Sequence, residues 1–255
     1  MENEKKGISA EIEKLKKFLK GIGSSKKLAV FGDSVIRGVM TDKISGRYRP
    51  YKARFSDARE RFGIDIENNA KIGYTSEQGL DQLKKLINKD NCPDFVLLEY
   101  GGNDCNFDWK SISDDPSGKH EPVISPDDFR RNYEQMIDYV RECGGSPVMM
   151  IPPPIDSEKF LDNICKRGGL EKENILSWLG DISMIYRWQE HYSSICNDVA
   201  VRRDCPVIDL RSVFIVRHDF KSLIGDDGIH PTAEGHAIID EAVCAFFDNI
   251  IKEEK

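Results

Sequence analysis

Apolar positions along this chain follow two different periods, and their alternation predicts the architecture. Short, nearly continuous apolar runs at residues 28–32, 64–68, 95–100, 147–151 and 206–210 read as buried strands. Between and after them the spacing becomes helical, at 77–88, 126–143, 174–202 and 232–251. Strands alternating with helices predict an α/β fold, a three-layer α/β/α sandwich around a five-stranded parallel sheet. In such sheets ligands bind beyond the carboxyl ends of the strands. Ser34, Gly73 and Asn103 each follow a predicted strand and so fall on that one edge.

Ahead of the first strand, Ile8, Ile12, Leu15, Phe18, Leu19 and Ile22 recur at helical spacing above a Lys-rich face. This predicts an N-terminal amphipathic segment, residues 1–27, preceding a main domain at 28–255. Docking on its own domain, or on a second subunit as a homodimer, outweighs a membrane-surface reading. The stretch Gly21-Ile-Gly-Ser-Ser-Lys-Lys27 faintly suggests a phosphate loop. It precedes a strand instead of following one and lacks the second Gly-Lys, which excludes that role. Two connections, about 105–125 and 152–188, are too long for tight crossovers. They read as cap-like insertions on the active edge, serving as lids or specificity loops.

Composition narrows the class. The 255 residues suit one α/β domain with a sizeable core, and 39% hydrophobic with 32% charged residues is ordinary for a soluble protein. A net charge of -7 argues against general nucleic-acid binding, which needs a basic footprint. No apolar run approaches the ~20 residues of a membrane span. The charged start, Met1 to Lys6, is followed by no apolar signal segment, so a secretory signal is not expected. Seven cysteines, odd in number and never spaced Cys-x-x-Cys, fit a reducing compartment, and the expected location is cytoplasmic.

Two stretches carry the chemistry. Gly32-Asp33-Ser34 closes the first strand, and Asp227-Gly-Ile-His-Pro231 precedes the last helix. Alone, the first is a set of turn formers and His230 a capping or core histidine. Together they supply a hydroxyl, an imidazole to take its proton and a carboxylate to hold that imidazole. A metal set of Asp227, His230 and His236 is the rival reading, but no further compact ligand cluster accompanies it. Nothing in the pattern requires a cofactor or a metal.

At this point the chain resembles a known family. Leu28-Ala-Val-Phe-Gly-Asp-Ser-Val35 resembles the first block of the SGNH hydrolases, also called the GDSL lipase/esterase family. Asn69-Ala-Lys-Ile-Gly-Tyr-Thr-Ser-Glu-Gln-Gly79 resembles the second, Tyr100-Gly-Gly-Asn-Asp104 the third and Asp227-Gly-Ile-His-Pro231 the last. The second block departs from the pattern in having Lys71-Ile72 before its key glycine. The resemblance implies a flavodoxin-like SGNH hydrolase fold and a serine esterase working through an acyl-enzyme. Ser34 would be the nucleophile, His230 the base and Asp227 its orienting partner. The oxyanion hole would combine the Ser34 and Gly73 amides with the Asn103 side chain.

Asp33 and Asp104 read first as loop-holding residues. Asp33, with Phe107, Trp109 and Trp188, is also a candidate for substrate contact. Arg37 would meet an anionic group or a surface carboxylate. Trp178, Tyr186, Trp188 and Tyr192 fall in or beside the later insertion, where they would line a cap or fill core. The expected partner is a small-molecule acyl ester, first of all an acylated carbohydrate. A lysophospholipid or thioester is the alternative, and a catalytically idle binding module of the same fold the rival from another class.

Overall fold

A computed structural model describes residues 4–20, 27–42 and 46–252, with side chains from residue 10 onward. In chain order its first elements are α1 (Glu4–Leu19), β1 (Lys27–Gly32), α2 (Ser34–Arg37), β2 (Val39–Thr41), β3 (Tyr48–Pro50), α3 (Ser56–Phe62) and β4 (Asp65–Asn68). Then come α4 (Ser76–Leu86), β5 (Phe95–Glu99), α5 (Trp109–Asp114), α6 (Pro126–Glu142) and β6 (Ser146–Ile151). The chain ends with α7 (Ser157–Gly168), α8 (Lys172–Leu179), α9 (Ser183–Arg202), β7 (Val207–Asp209), α10 (Leu210–Ile215), α11 (Phe220–Leu223) and α12 (Ala233–Lys252).

All five expected strands form, and they pair in parallel in the order β4-β1-β5-β6-β7. Leu28 lies between Ile66 and Phe95, which fixes the register of the three strands nearest the site. From β1 the chain moves outward to β4, then crosses back over β1 to reach β5. The direction of winding therefore reverses between β1 and β5, the place where open α/β sheets bind ligands.

The continuous apolar runs are explained by burial on both faces. Leu28, Val30, Phe95, Leu97 and Val148 face one core, shared with α1, α3 and α12. Ala29, Phe31, Val96, Leu98 and Met149 face the other, shared with α4, α6 and α9. In α1, Leu15, Phe18 and Leu19 are buried in the first core, and the Phe18 ring centroid lies 4.8 Å from that of Phe95. Glu11 adds a 2.9 Å ion pair to Arg141 of α6. The side chain of Ile8, Ile22 and the stretch 21–26 lie outside the described residues.

The structure corrects the expected helix at 174–202. It is two helices, α8 and α9, because Gly180 takes φ +70 and returns its amide to Leu176 O as a C-cap. The insertions hold their own helices, α5 in the first and α7 and α8 in the second. These pack as a third apolar cluster around Ile112, Phe160, Leu161, Ile175 and Ile185. A β2–β3 hairpin, with Thr41 opposite Tyr48, was not foreshadowed by the apolar pattern. All seven cysteines are free, and among the described residues no helix is long and apolar enough to cross a membrane.

Candidate active site

Ser34 opens α2 directly after β1. Asp33 is the N-cap, its Oδ1 accepting the Val35 amide at 2.8 Å, and Gly38 ends the helix at φ +90. A turn this short presents the Ser34 hydroxyl at the strand's carboxyl edge. As the first helical residue, Ser34 has an amide with no intrahelical acceptor. Gly32 must be glycine, since a Cβ there would meet Ile36 and the Glu99 carbonyl.

Asp227 and His230 sit on the loop before α12. Ser34 Oγ lies 2.8 Å from His230 Nε2, and His230 Nδ1 lies 2.7 Å from Asp227 Oδ2. Asp227 Oδ1 accepts the amides of Ile229 and His230, both at 3.0 Å. Thr41 Oγ1 donates to Asp227 Oδ2 at 2.5 Å. Burial alone would raise the Asp227 carboxyl, but the hydrogen bond and charge of His230, then Thr41 and the Ile229 amide, outweigh it. They hold it down at about 2. The carboxylate is thus ionised, the imidazole donates from Nδ1, and Nε2 is left to accept from Ser34. All three residues are buried.

Gly228, between them, takes φ +77 and lies so close to α7 that a Cβ would strike Phe160 N and Asp156 O. Its carbonyl accepts the Asp156 amide at 2.9 Å. The base loop therefore packs backbone to backbone on the first helix of the second insertion.

The candidate oxyanion donors gather beside Ser34. Gly73 lines the same cavity at φ +79, in the turn before α4. Asn103 Nδ2 donates to Tyr74 O at 2.9 Å and reaches Asp33 Oδ2 at a longer 3.4 Å. One of its protons is thus firmly held, and the other is only weakly engaged. Asp104 fixes this loop to the preceding block, its Oδ1 accepting the Ser76 amide at 2.8 Å and hydroxyl at 2.5 Å. Burial pushes the Asp104 carboxyl up to about 7 against those hydrogen bonds. It likewise pushes Asp33 up to about 6, opposed by the Val35 amide and the His230 charge. Beneath Asp33, burial and that neighbouring carboxylate raise the fully buried Glu99 well above the carboxylate range.

A family scan matches the GDSL-like lipase/acylhydrolase family over residues 30–238. The chain belongs to that family.

The GDSL esterase/lipase CPRD49 of Arabidopsis thaliana is 23% identical over 219 residues, which is 84% of this chain and 75% of that protein. Among solved structures, a lipase/acylhydrolase from Enterococcus faecalis superposes with a TM-score of 0.59 at 20% identity, covering 90% of this chain and 99% of that one. A catalytic mutant of Axe2, an acetylxylan esterase from Geobacillus stearothermophilus, gives the same TM-score of 0.59 at 20% identity, over 89% and 95% of the two chains. The GDSL-like family is one of hydrolases acting on esters, and its fold is the five-stranded sandwich described above.

In this member of the GDSL-like family, Ser34, Gly73, Asn103 and His230 open into one cavity of about 450 Å³. Asp33, Phe107, Trp109 and Trp188 line it too, so every residue singled out as a substrate contact is at its wall. Phe160, Trp178 and Ile185, from the insertion, complete the apolar side. The Phe107 ring anchors this wall, with centroids 5.7, 5.0 and 5.6 Å from those of Trp109, Trp178 and Trp188. Tyr192 stays in the core. Tyr186 lies outside the cavity, its ring under the Arg211 guanidinium.

Arg37 Nη1 donates to Ala70 O at 2.5 Å, tying α2 to the loop that leads to Gly73. His236 is engaged away from Ser34. Its Nε2 donates to Val39 O at 2.8 Å, and Nδ1 accepts from Arg54. Burial, then the Arg54 charge, lowers it to about 3 and keeps it neutral. With both ring nitrogens of His230 and of His236 engaged, neither residue offers one to a metal. Thr41 and Tyr48 escaped the sequence reading altogether. Both lie in three-residue strands, too short to show alternation.

Proposed function

We propose that this hydrolase is a serine esterase that cleaves carboxylic esters through an acyl-enzyme on Ser34. The observation that carries the reading is the continuous path from Ser34 Oγ through His230 to Asp227, at 2.8 and 2.7 Å. Ser34 Oγ bonds to the acyl carbon while its proton passes to His230 Nε2. Asp227 stabilises the imidazolium without taking its proton. The oxyanion is met by the Ser34 and Gly73 amides and the weakly engaged proton of Asn103 Nδ2. Collapse breaks the bond to the alcohol oxygen, which leaves with the proton from His230. Water, deprotonated by the same nitrogen, then frees the acid and restores Ser34.

The cavity favours a longer apolar acyl group over acetyl. At about 450 Å³ it is roughly three times a cavity that takes up benzene, about 150 Å³. Its far wall is aromatic, and an acetyl group would leave most of that surface uncovered. This supports lysophospholipids or acyl thioesters over acetylated carbohydrates.

The test is a substrate profile with Ser34→Ala as control. It spans p-nitrophenyl esters from acetyl to dodecanoyl, an acetylated xylooligosaccharide, a lysophosphatidylcholine and octanoyl-coenzyme A, alongside fluorophosphonate labelling. Labelling at Ser34 and a maximum at medium chain length are expected. Undiminished hydrolysis in Ser34→Ala would sink the acyl-enzyme reading, and a maximum at acetyl would reverse the substrate choice.

A further inference from the structure

Thr41 and Tyr48 face each other across the β2–β3 hairpin, and each touches a different member of the Asp227–His230 pair. Thr41 Oγ1 donates at 2.5 Å to Asp227 Oδ2, the oxygen that also holds His230 Nδ1. The Tyr48 ring meets the His230 ring edge-on, with centroids 4.8 Å apart. We infer that this cross-strand pair sets the geometry of the base, with Thr41 a positioning residue that acts through Asp227. The inference rests on the acyl-enzyme reading above.

The two carboxylate oxygens of Asp227 are held differently. Oδ1 is fixed by amides of its own loop. Oδ2 has the imidazole, which gains and loses a proton twice in each catalytic cycle, and Thr41, whose charge never changes. The hydroxyl therefore gives Oδ2 a constant partner and stops the carboxylate turning about its Cβ–Cγ bond. It also draws off part of the negative charge that faces the imidazole. Thr41 and Asp227 are 186 positions apart, so this contact spans the chain from the nucleophile side to the base loop. Only Gly38 separates β2 from α2, so the element bearing Ser34 and the one steadying Asp227 follow each other directly in the chain.

Arg167 of α7 lies 5.8 Å above the Tyr48 ring, a cation–π contact that holds the hairpin against the insertion. The other charged or titratable groups acting on His230 are Asp227, Asp33 and His236.

The test compares wild type, Thr41→Val and Thr41→Ser on p-nitrophenyl octanoate, with kcat expressed per fluorophosphonate-titratable site. A hydrogen bond to a charged group is worth about ten- to hundredfold, so Thr41→Val should lower kcat by that factor with KM within about twofold. Its acid limb should move to higher pH, because a less shared Asp227 charge favours the imidazolium. Thr41→Ser restores the donor and should return both the rate and the limb. A merely structural role would lower Tm and leave the limb in place. If Thr41→Val does not fold, Thr41→Cys, a weak donor of similar size, carries the same comparison.

Wild-type kcat and limb in Thr41→Val, or equal losses in Thr41→Val and Thr41→Ser, overturn the inference. So does a Tm loss with kcat per site unchanged. Hydrolysis surviving in Ser34→Ala overturns the acyl-enzyme reading together with it. An inactive Ser34→Ala beside an unimpaired Thr41→Val overturns the Thr41 role alone.

Discussion

His230 Nε2 sits 2.8 Å from Ser34 Oγ, although 196 positions separate the two residues. The sheet makes this meeting: β1 delivers Ser34 at the winding reversal, and the loop before α12 descends on the same edge. Replacing Ser34 or His230 by Ala should cost roughly 10⁴–10⁶ in kcat, since these two exchange the proton, and Asp227→Asn about 10⁴, since it removes the charge that orients and stabilises the imidazolium. Steady-state kinetics on one p-nitrophenyl ester check all of these. A variant within tenfold of wild type would remove that residue from the path.

Asn103 carries a proton that only a 3.4 Å contact with Asp33 engages, which leaves it available to a developing oxyanion. Asn103→Ala should reduce kcat by about 10²–10³ with little change in KM, the pattern of an interaction made in the transition state. A rise in KM at constant kcat would instead make Asn103 a ground-state contact.

Chain-length selectivity should follow the chamber volume. Leu179 is on its wall, and Leu179→Trp adds bulk there without touching the Ser34–His230 contact. Octanoyl ester turnover should drop by more than about tenfold while acetyl ester turnover stays within about threefold, the discrimination a crowded apolar pocket provides. The ratio of the two kcat/KM values is the measurement. An unchanged ratio would place the acyl chain elsewhere.

Asp104 makes folding stability depend on pH. Its carboxyl is raised from 3.8 to about 7, so its stabilising contribution is complete below 3.8 and is lost as pH rises through about 7. Asp227, lowered from 3.8 to about 2, acts in the opposite window: its contribution is complete above 3.8 and is lost as pH falls through about 2. Asp104→Asn keeps an acceptor for Ser76 and cannot ionise. Urea unfolding at several pH values should therefore show a smaller decline from pH 5 to 8 in Asp104→Asn than in wild type. Parallel declines would contradict this.

The layers and the strand set could be read from the sequence because each depends on local pattern, whereas the grouping of Gly73 and Asn103 with Ser34 came from the resemblance of short blocks to a family. Strands buried on both faces write continuous apolar runs, and the Asp227–His230 spacing survives within one loop. The cavity wall was legible only in part. Phe107 and Trp109 follow Asp104 closely, but Phe160 and Ile185 reach the chamber through tertiary packing of helices with no motif of their own. At 174–202 the apolar spacing continues past Gly180, and only its left-handed backbone separates α8 from α9. Thr41 was invisible for a different reason: its partner lies 186 positions away and its strand is three residues long.

The backbone contact of Gly228 with Asp156 and Phe160 couples access to reactivity. If α7 swings outward, the loop bearing Asp227 and His230 must follow or break its contact with the helix. In the first case His230 leaves Ser34 and the serine loses its proton acceptor; in the second the Asp156 amide loses the Gly228 carbonyl and the Ser34–His230 contact stays.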